Sequence, residues 1–162
     1  MFREMVQEFI LQLNELNIVI QYLGIFLLSF IPFVESPGAT AAAGVIGLPI
    51  FSSTLVSIGG NWISIMLVII PFNAIVKKIQ KRKSRKGFIS KRASKARERY
   101  EKYGVPGVAL IAPVVSSGHI GAFVSIAAGA DKKKVVFWHV ISIVIWAIVG
   151  VLLGAFLHYE IM

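Results

Sequence analysis

The sequence predicts an all-α membrane protein built as an inverted repeat, each half holding an amphipathic helix, a re-entrant hairpin and one transmembrane helix. Three observations carry that expectation. No Asp, Glu, Lys or Arg occurs between Ser36 and Val76 or between Val135 and Leu157, in a chain of 162 residues that is 56% hydrophobic and only 15% charged. Uncharged runs of this length mark membrane spans. The basic residues are also concentrated: of 17 Lys and Arg, 13 lie between Lys77 and Lys102, three are Lys132, Lys133 and Lys134, and the last is Arg3. Finally, the two halves align at an offset of 81 residues, which sets Tyr22 on Tyr103, Pro32 on Pro113, Val34 on Val115 and Ser36 on Ser117.

Taken in order, the first element is an amphipathic helix with apolar residues at Phe2, Val6, Phe9, Leu13 and Leu16, suited to lying in the membrane interface. Its acids are scattered and no basic region precedes an apolar core, so it does not read as a cleaved signal peptide. The first membrane segment is expected to direct insertion. The next stretch, "QYLGIFLLSFIPFVES" followed by Pro37 and Gly38, is the first hairpin, with Glu35 and Pro37 at its tip. Thr54 to Val76 follows as a full span, 23 residues or roughly 34 Å of helix against a hydrocarbon core of about 30 Å.

Beyond it, the basic loop 77–103 belongs on the cytoplasmic face by the positive-inside rule. It contains a second amphipathic helix, Ile89, Ala93, Ala96, Tyr100 and Tyr103, offset by 87 residues from the first, which implies an insertion or register change. Stretch 104–131 has basic clusters at both ends and so begins and ends on the cytoplasmic side. Its 28 residues are too few for two crossings, which need about 40. Breakers stand where a hairpin would turn: Pro113, Gly118 and Gly121. Irregular backbone at membrane depth survives only where protein shields it or water reaches it, so a re-entrant hairpin implies a cavity. Val135 to Leu157 is the second span.

The expected organisation is thus one membrane domain, 1–162, with a first repeat at 1–81 and an inverted second repeat at 82–162. Each repeat crosses the membrane an odd number of times, which turns its second copy upside down and places the N-terminal half outside. Many secondary transporters share this plan and bind substrate near the midplane at interrupted helices.

Several function classes are set aside. The chain has no cysteine, hence no disulfide framework or thiolate site. It lacks H-E-x-x-H, paired carboxylates, Gly-x-Ser-x-Gly and a phosphate loop, so neither an enzyme nor a metal or cofactor site is expected. Ser116 and His119 stand at i and i+3, but no nearby acid would orient the histidine. The basic run lacks interleaved aromatics, which argues against nucleic acid and for anionic lipid head-groups as its contact.

Ionisable groups at membrane depth are costly and few. Glu35 is the first candidate: desolvation favours its protonated form, so it could exchange a proton for a substrate, the alternative being a carboxylate that caps the second hairpin helix. His119 marks the opposite tip, either as a partner of Glu35 in a proton relay or as a histidine bonded to turn carbonyls. Ser116, Ser117 and Thr40 offer hydroxyls to a polar substrate or to broken backbone. Asn61 and Asn73 flank the first span, Asn73 close enough to Pro71 to repair its kink. His139 reads as structural. Gly150 and Gly154 form a G-x-x-x-G that allows close helix approach, either within the chain or between copies. With little protein available to shield broken backbone, a homodimer or larger homo-oligomer is expected.

With Glu35-Ser-Pro-Gly-Ala at one hairpin and Pro113-Val-Val-Ser-Ser-Gly118-His-Ile-Gly121 at the other, the chain resembles the small multidrug export protein family, distant relatives of the DedA membrane proteins. The resemblance covers roughly residues 20–157. Where family members commonly carry a basic residue after the acid this chain has Pro37, and where the second motif commonly holds an aromatic it has Ile120. The arginines of the DedA second hairpin have no counterpart in 104–131. The resemblance implies two opposed re-entrant hairpins in the cell (inner) membrane and a transport role. The expected activity is proton-coupled export of a hydrophobic or amphiphilic small molecule. The alternatives are a DedA-like flippase or scramblase for a lipid or polyprenyl phosphate, and a structural assembly partner.

Overall fold

A computed structural model describes residues 2–72 and 103–161. Asn73, the basic stretch 77–102 and the second amphipathic helix up to Tyr100 lie outside the described residues. Every regular element among the described residues is helical: α1 (Phe2–Asn14), α2 (Ile18–Phe30), α3 (Glu35–Val45), α4 (Ile50–Ile69), α5 (Tyr103–Val115), α6 (Gly118–Ala127) and α7 (Lys132–Ile161).

Two of these, α4 and α7, are long and apolar enough to cross a membrane. The first starts four residues before Thr54, because the Pro49 carbonyl accepts the Ser53 amide (3.1 Å) and opens the helix there. It stops at Ile69, where Pro71 disfavours helical backbone in the preceding residue. At 30 residues, about 45 Å, α7 exceeds the predicted 23-residue span at both ends. Asp131 accounts for the early start, since its Oδ1 accepts the Lys134 amide at 3.1 Å and its carbonyl the Val135 amide at 3.0 Å, so the three lysines form the first turn. Large apolar side chains point outward along both helices, among them Phe51, Leu55, Leu67, Leu152 and Phe156. That is the surface a lipid solvent selects.

The remaining apolar helices are short. Those of 13, 11, 13 and 10 residues, α2, α3, α5 and α6, reach roughly 15 to 20 Å, well under the thickness of the hydrocarbon core. They form two helical hairpins, α2–α3 and α5–α6.

The chain divides into two spatial units, Met1–Ile63 with Ile143–Met162, and Ser64–Ser142. In the first, α2 and α3 pack around Ile25, Ala39, Ala43 and Leu48, with Tyr22, Leu28 and Ile46 alongside. Gly60 of α4 meets Ser29 and Phe26 of α2, where a β-carbon would fall 2.1 Å from the Ser29 hydroxyl. Helix α3, rich in Gly, Ala, Ser and Thr, lies along the C-terminal half of α7. In the second unit, Ala109, Ala112, Ala122, Ile126 and Val135 are buried, and Gly121 of α6 sits against Ala112 of α5 and His139 of α7. There the Ser142 hydroxyl donates to the Ala109 carbonyl at 2.7 Å.

Candidate functional site

The first hairpin bends at Ile31–Val34. Pro32 brings no amide, and the Ile31 carbonyl accepts both the Val34 amide (3.1 Å) and the Glu35 amide (3.0 Å). Two residues in this bend have left-handed backbone, Phe33 (φ 75°) and Glu35 (φ 50°), with Val34 right-handed between them. Such conformations cost a non-glycine residue about 1–3 kcal/mol each and persist only where surrounding structure enforces them. The consequence is a reversal of exposure: Phe33 is 70% exposed and Glu35 only 2%.

Glu35 is the first residue of α3, and Val34, in the capping position, supplies no side-chain hydrogen bond. A carboxylate there also meets the positive end of the helix dipole. Pro37 and Gly38 fall in the first turn of α3 rather than in the bend. Proline is tolerated at that point because its missing amide would have had no partner within the helix.

Around Glu35 the first unit gathers buried hydroxyls. The Ser36 hydroxyl donates to the Ile143 carbonyl at 3.1 Å, and the Ser57 hydroxyl donates to the Ser36 carbonyl at 3.2 Å. Thr40 Oγ1 lies within 2.8 Å of the Ser36 carbonyl, 3.0 Å of that of Ala147 and 3.2 Å of that of Pro37, so its single proton is shared among three acceptors. Ile143 and Ala147 straddle the midpoint of α7. The acid-bearing end of α3 therefore sits level with the middle of a membrane-length helix.

Gly150 and Gly154 hold α3 in place. A β-carbon on Gly150 would fall 2.1 Å from Thr40 Oγ1 and 2.2 Å from the Pro37 carbonyl, and one on Gly154 would fall 2.7 Å from the Ala41 carbonyl. Of the two uses open to this G-x-x-x-G, the structure uses it inside the chain.

The second tip is built differently. Ser116 and Ser117 link α5 to α6, both hydroxyls engaging backbone: Ser117 Oγ accepts the Ile120 amide at 3.2 Å as the cap of α6, and Ser116 Oγ donates weakly to the Ala112 carbonyl at 3.4 Å. Pro113 lies in the last turn of α5. Gly118 opens α6, while Gly121 serves packing, since its β-carbon would be 2.6 Å from that of Ala112. His119 reaches back to α4, its Nε2 lying 2.9 Å from the Ser64 hydroxyl. Buried His139 donates from Nδ1–H to the Val135 carbonyl of its own helix at 2.8 Å, in keeping with a structural role. Glu35 belongs to the first unit and His119 to the second.

Sequence reasoning missed Ser53, Ser57, Ser64 and His158. The three serines and Asn61 recur along α4 at helical spacing and are all buried, a periodicity that was available in the sequence but hidden by the hydrophobicity around it. His158 donates from Nδ1–H to the Val45 carbonyl at the end of α3 (3.0 Å) and lines a cavity of about 260 Å³ with Thr40, Gly47, Ser53, Val151 and Ala155. Among the described residues, no three His, Asp or Glu side chains gather into a metal-binding group.

A family model described as "Putative small multi-drug export protein" matches residues 35–149, from the buried acid through the second hairpin and into α7. No curated protein and no solved structure matches the chain. The matched region begins at Glu35, just after the first bend, takes in the second hairpin and covers more than half of the 162 residues. Together with two membrane-length apolar helices, it identifies a membrane protein that belongs to the small multi-drug export protein family.

Proposed function

We propose that the protein is a proton-coupled exporter of hydrophobic or amphiphilic small molecules, with Glu35 as the group that holds either a proton or a cationic substrate. The observation that carries this reading is the burial of Glu35 at a strained break between two short helices, level with the middle of α7. A charge at that depth costs roughly 2.5–3.5 kcal/mol on insertion scales. Protonation or a bound cation removes that cost, which gives the two ligands a physical reason to compete.

On this reading α2–α3 and α5–α6 are re-entrant hairpins of an inverted repeat, 1–81 and 82–162. Their lengths support it, as does the order of elements: α2, α3 and α4 begin at 18, 35 and 50, and α5, α6 and α7 at 103, 118 and 132, an offset of 82 to 85 residues. The broken backbone near Glu35 is served by Ser36, Thr40 and Ser57, whose hydroxyls could also turn to a substrate. His119 acts as a second proton site, steadied by Ser64. A homo-oligomer would shield the hairpins further, and the mass of the detergent-solubilised protein by light scattering checks it. With the basic loop cytoplasmic, impermeant labelling should find Lys91 and Lys133 on one face.

Lipid or polyprenyl-phosphate transport is less well supported, because no Lys or Arg occurs in 18–45 or 103–130 to meet a phosphate at depth. Proteoliposomes with an imposed pH gradient test the proposal. Wild type should move a lipophilic cation such as tetraphenylphosphonium against its gradient and Glu35→Gln should not, whereas equal flux in the two would refute it.

A further inference from the structure

In the second unit, the end of α4 and the first three turns of α7 enclose an open groove of about 600 Å³, lined by Ile69, Ile70, Lys132, Lys133, Phe137 and Val140 among others. We propose that this groove binds one anionic phospholipid, its head-group on the lysines and its acyl chain on the apolar floor. Lys132 and Lys133 stand in the first turn of α7, while Val136, Phe137 and Val140 follow along the same groove. At about 1.5 Å per residue, the apolar stretch begins roughly 5 Å beyond the charges and extends to about 12 Å. Charge at one end and hydrocarbon along the rest is the pattern of an amphiphile.

The rim is open, with Ile70 70% and Phe137 60% exposed, whereas Ile69 is buried as part of the floor. Phe137 and Trp138 pack edge to face at 5.7 Å, an aromatic pair beside lysines of the kind that anchors a helix at the membrane interface. Charge selects the occupant. The chain's own adjacent stretch, 77–102, carries 13 Lys and Arg and would be repelled by Lys132 and Lys133, whereas an anionic head-group near the cytoplasmic surface is attracted by each lysine. The site contains neither Glu35 nor a hairpin tip, so it stands or falls apart from the export mechanism.

Native mass spectrometry of the delipidated full chain, titrated with phosphatidylglycerol or phosphatidylcholine, tests the site. Wild type should retain one phosphatidylglycerol in preference to phosphatidylcholine. Lys132→Gln with Lys133→Gln should weaken that adduct about thirtyfold, roughly fivefold per lysine. Val140→Trp, which fills the groove without altering charge, should weaken it as well and decides the matter if the double variant does not fold. Equal retention of the two lipids, or a preference unchanged by both variants, overturns the proposal. So would a lipid-independent dimer abolished by Val140→Trp, because it would assign the groove to a second copy of the chain.

Discussion

The two hairpin tips perform the same structural task with different chemistry. At Ser116–Ser117 the chain turns with a side-chain cap on α6 and extended backbone at Ser117 (φ −166°, ψ 156°). At Ile31–Val34 it turns with no side-chain cap from Val34, and two non-glycine residues with positive φ flank that position. The second tip shows that such a hairpin can be made without strain and without an acid. What the first tip adds is a buried carboxylate at a break of costly backbone, and the role proposed for Glu35 gives that difference a use.

The largest expected effect falls on this contrast. Glu35→Gln keeps the size of the side chain and removes its proton exchange, so pH-driven export should fall by at least tenfold while the melting temperature changes little. Loss of folding instead would make Glu35 a structural residue. Next comes the support beneath the tip: Gly150→Leu pushes a side chain into Thr40 and Pro37, and overpacking of this kind costs about 1–3 kcal/mol or more. Reduced thermal stability and loss of export should appear together; a variant as stable as wild type would mean that α3 does not lie on α7.

At the second tip, Ser117→Ala should cost about 1 kcal/mol through loss of the α6 cap, lowering the melting temperature while leaving export measurable. If Ser117→Ala abolished export with no change in stability, its hydroxyl would belong to the substrate site and the contrast between tips would weaken. The smallest effect is expected at Phe33→Gly. Relief of a positive φ should stabilise by up to about 1 kcal/mol, measurable as a raised melting temperature, and a lowered one would show that Phe33 packs against something essential.

Much of this was legible in the sequence, for reasons that also mark where reading failed. Charge-free runs reported α4 and α7, because lipid excludes charge regardless of tertiary detail. Their ends were not legible, since the charge of Lys132, Lys133 and Lys134 put the expected start at Val135, whereas Asp131 caps a helix whose first turn they form. Pro37 looked like the bend, yet proline fits the first turn of a helix, and the bend lies at Pro32 and Phe33, whose positive φ leaves no trace in residue type. The G-x-x-x-G at Gly150 announced close packing but could not name its partner. That partner is α3, through Thr40, Ala41 and Gly44. Ser57 and Ser64 escaped notice because serine is unremarkable in a membrane helix until its acceptor is known.

Proton release measured directly on the solubilised protein gives the sharpest test. In weakly buffered detergent solution, addition of tetraphenylphosphonium should release close to one proton per chain from wild type and none from Glu35→Gln. Binding of the cation by wild type without proton release, or equal release from the variant, would contradict the competition at Glu35 on which the account depends.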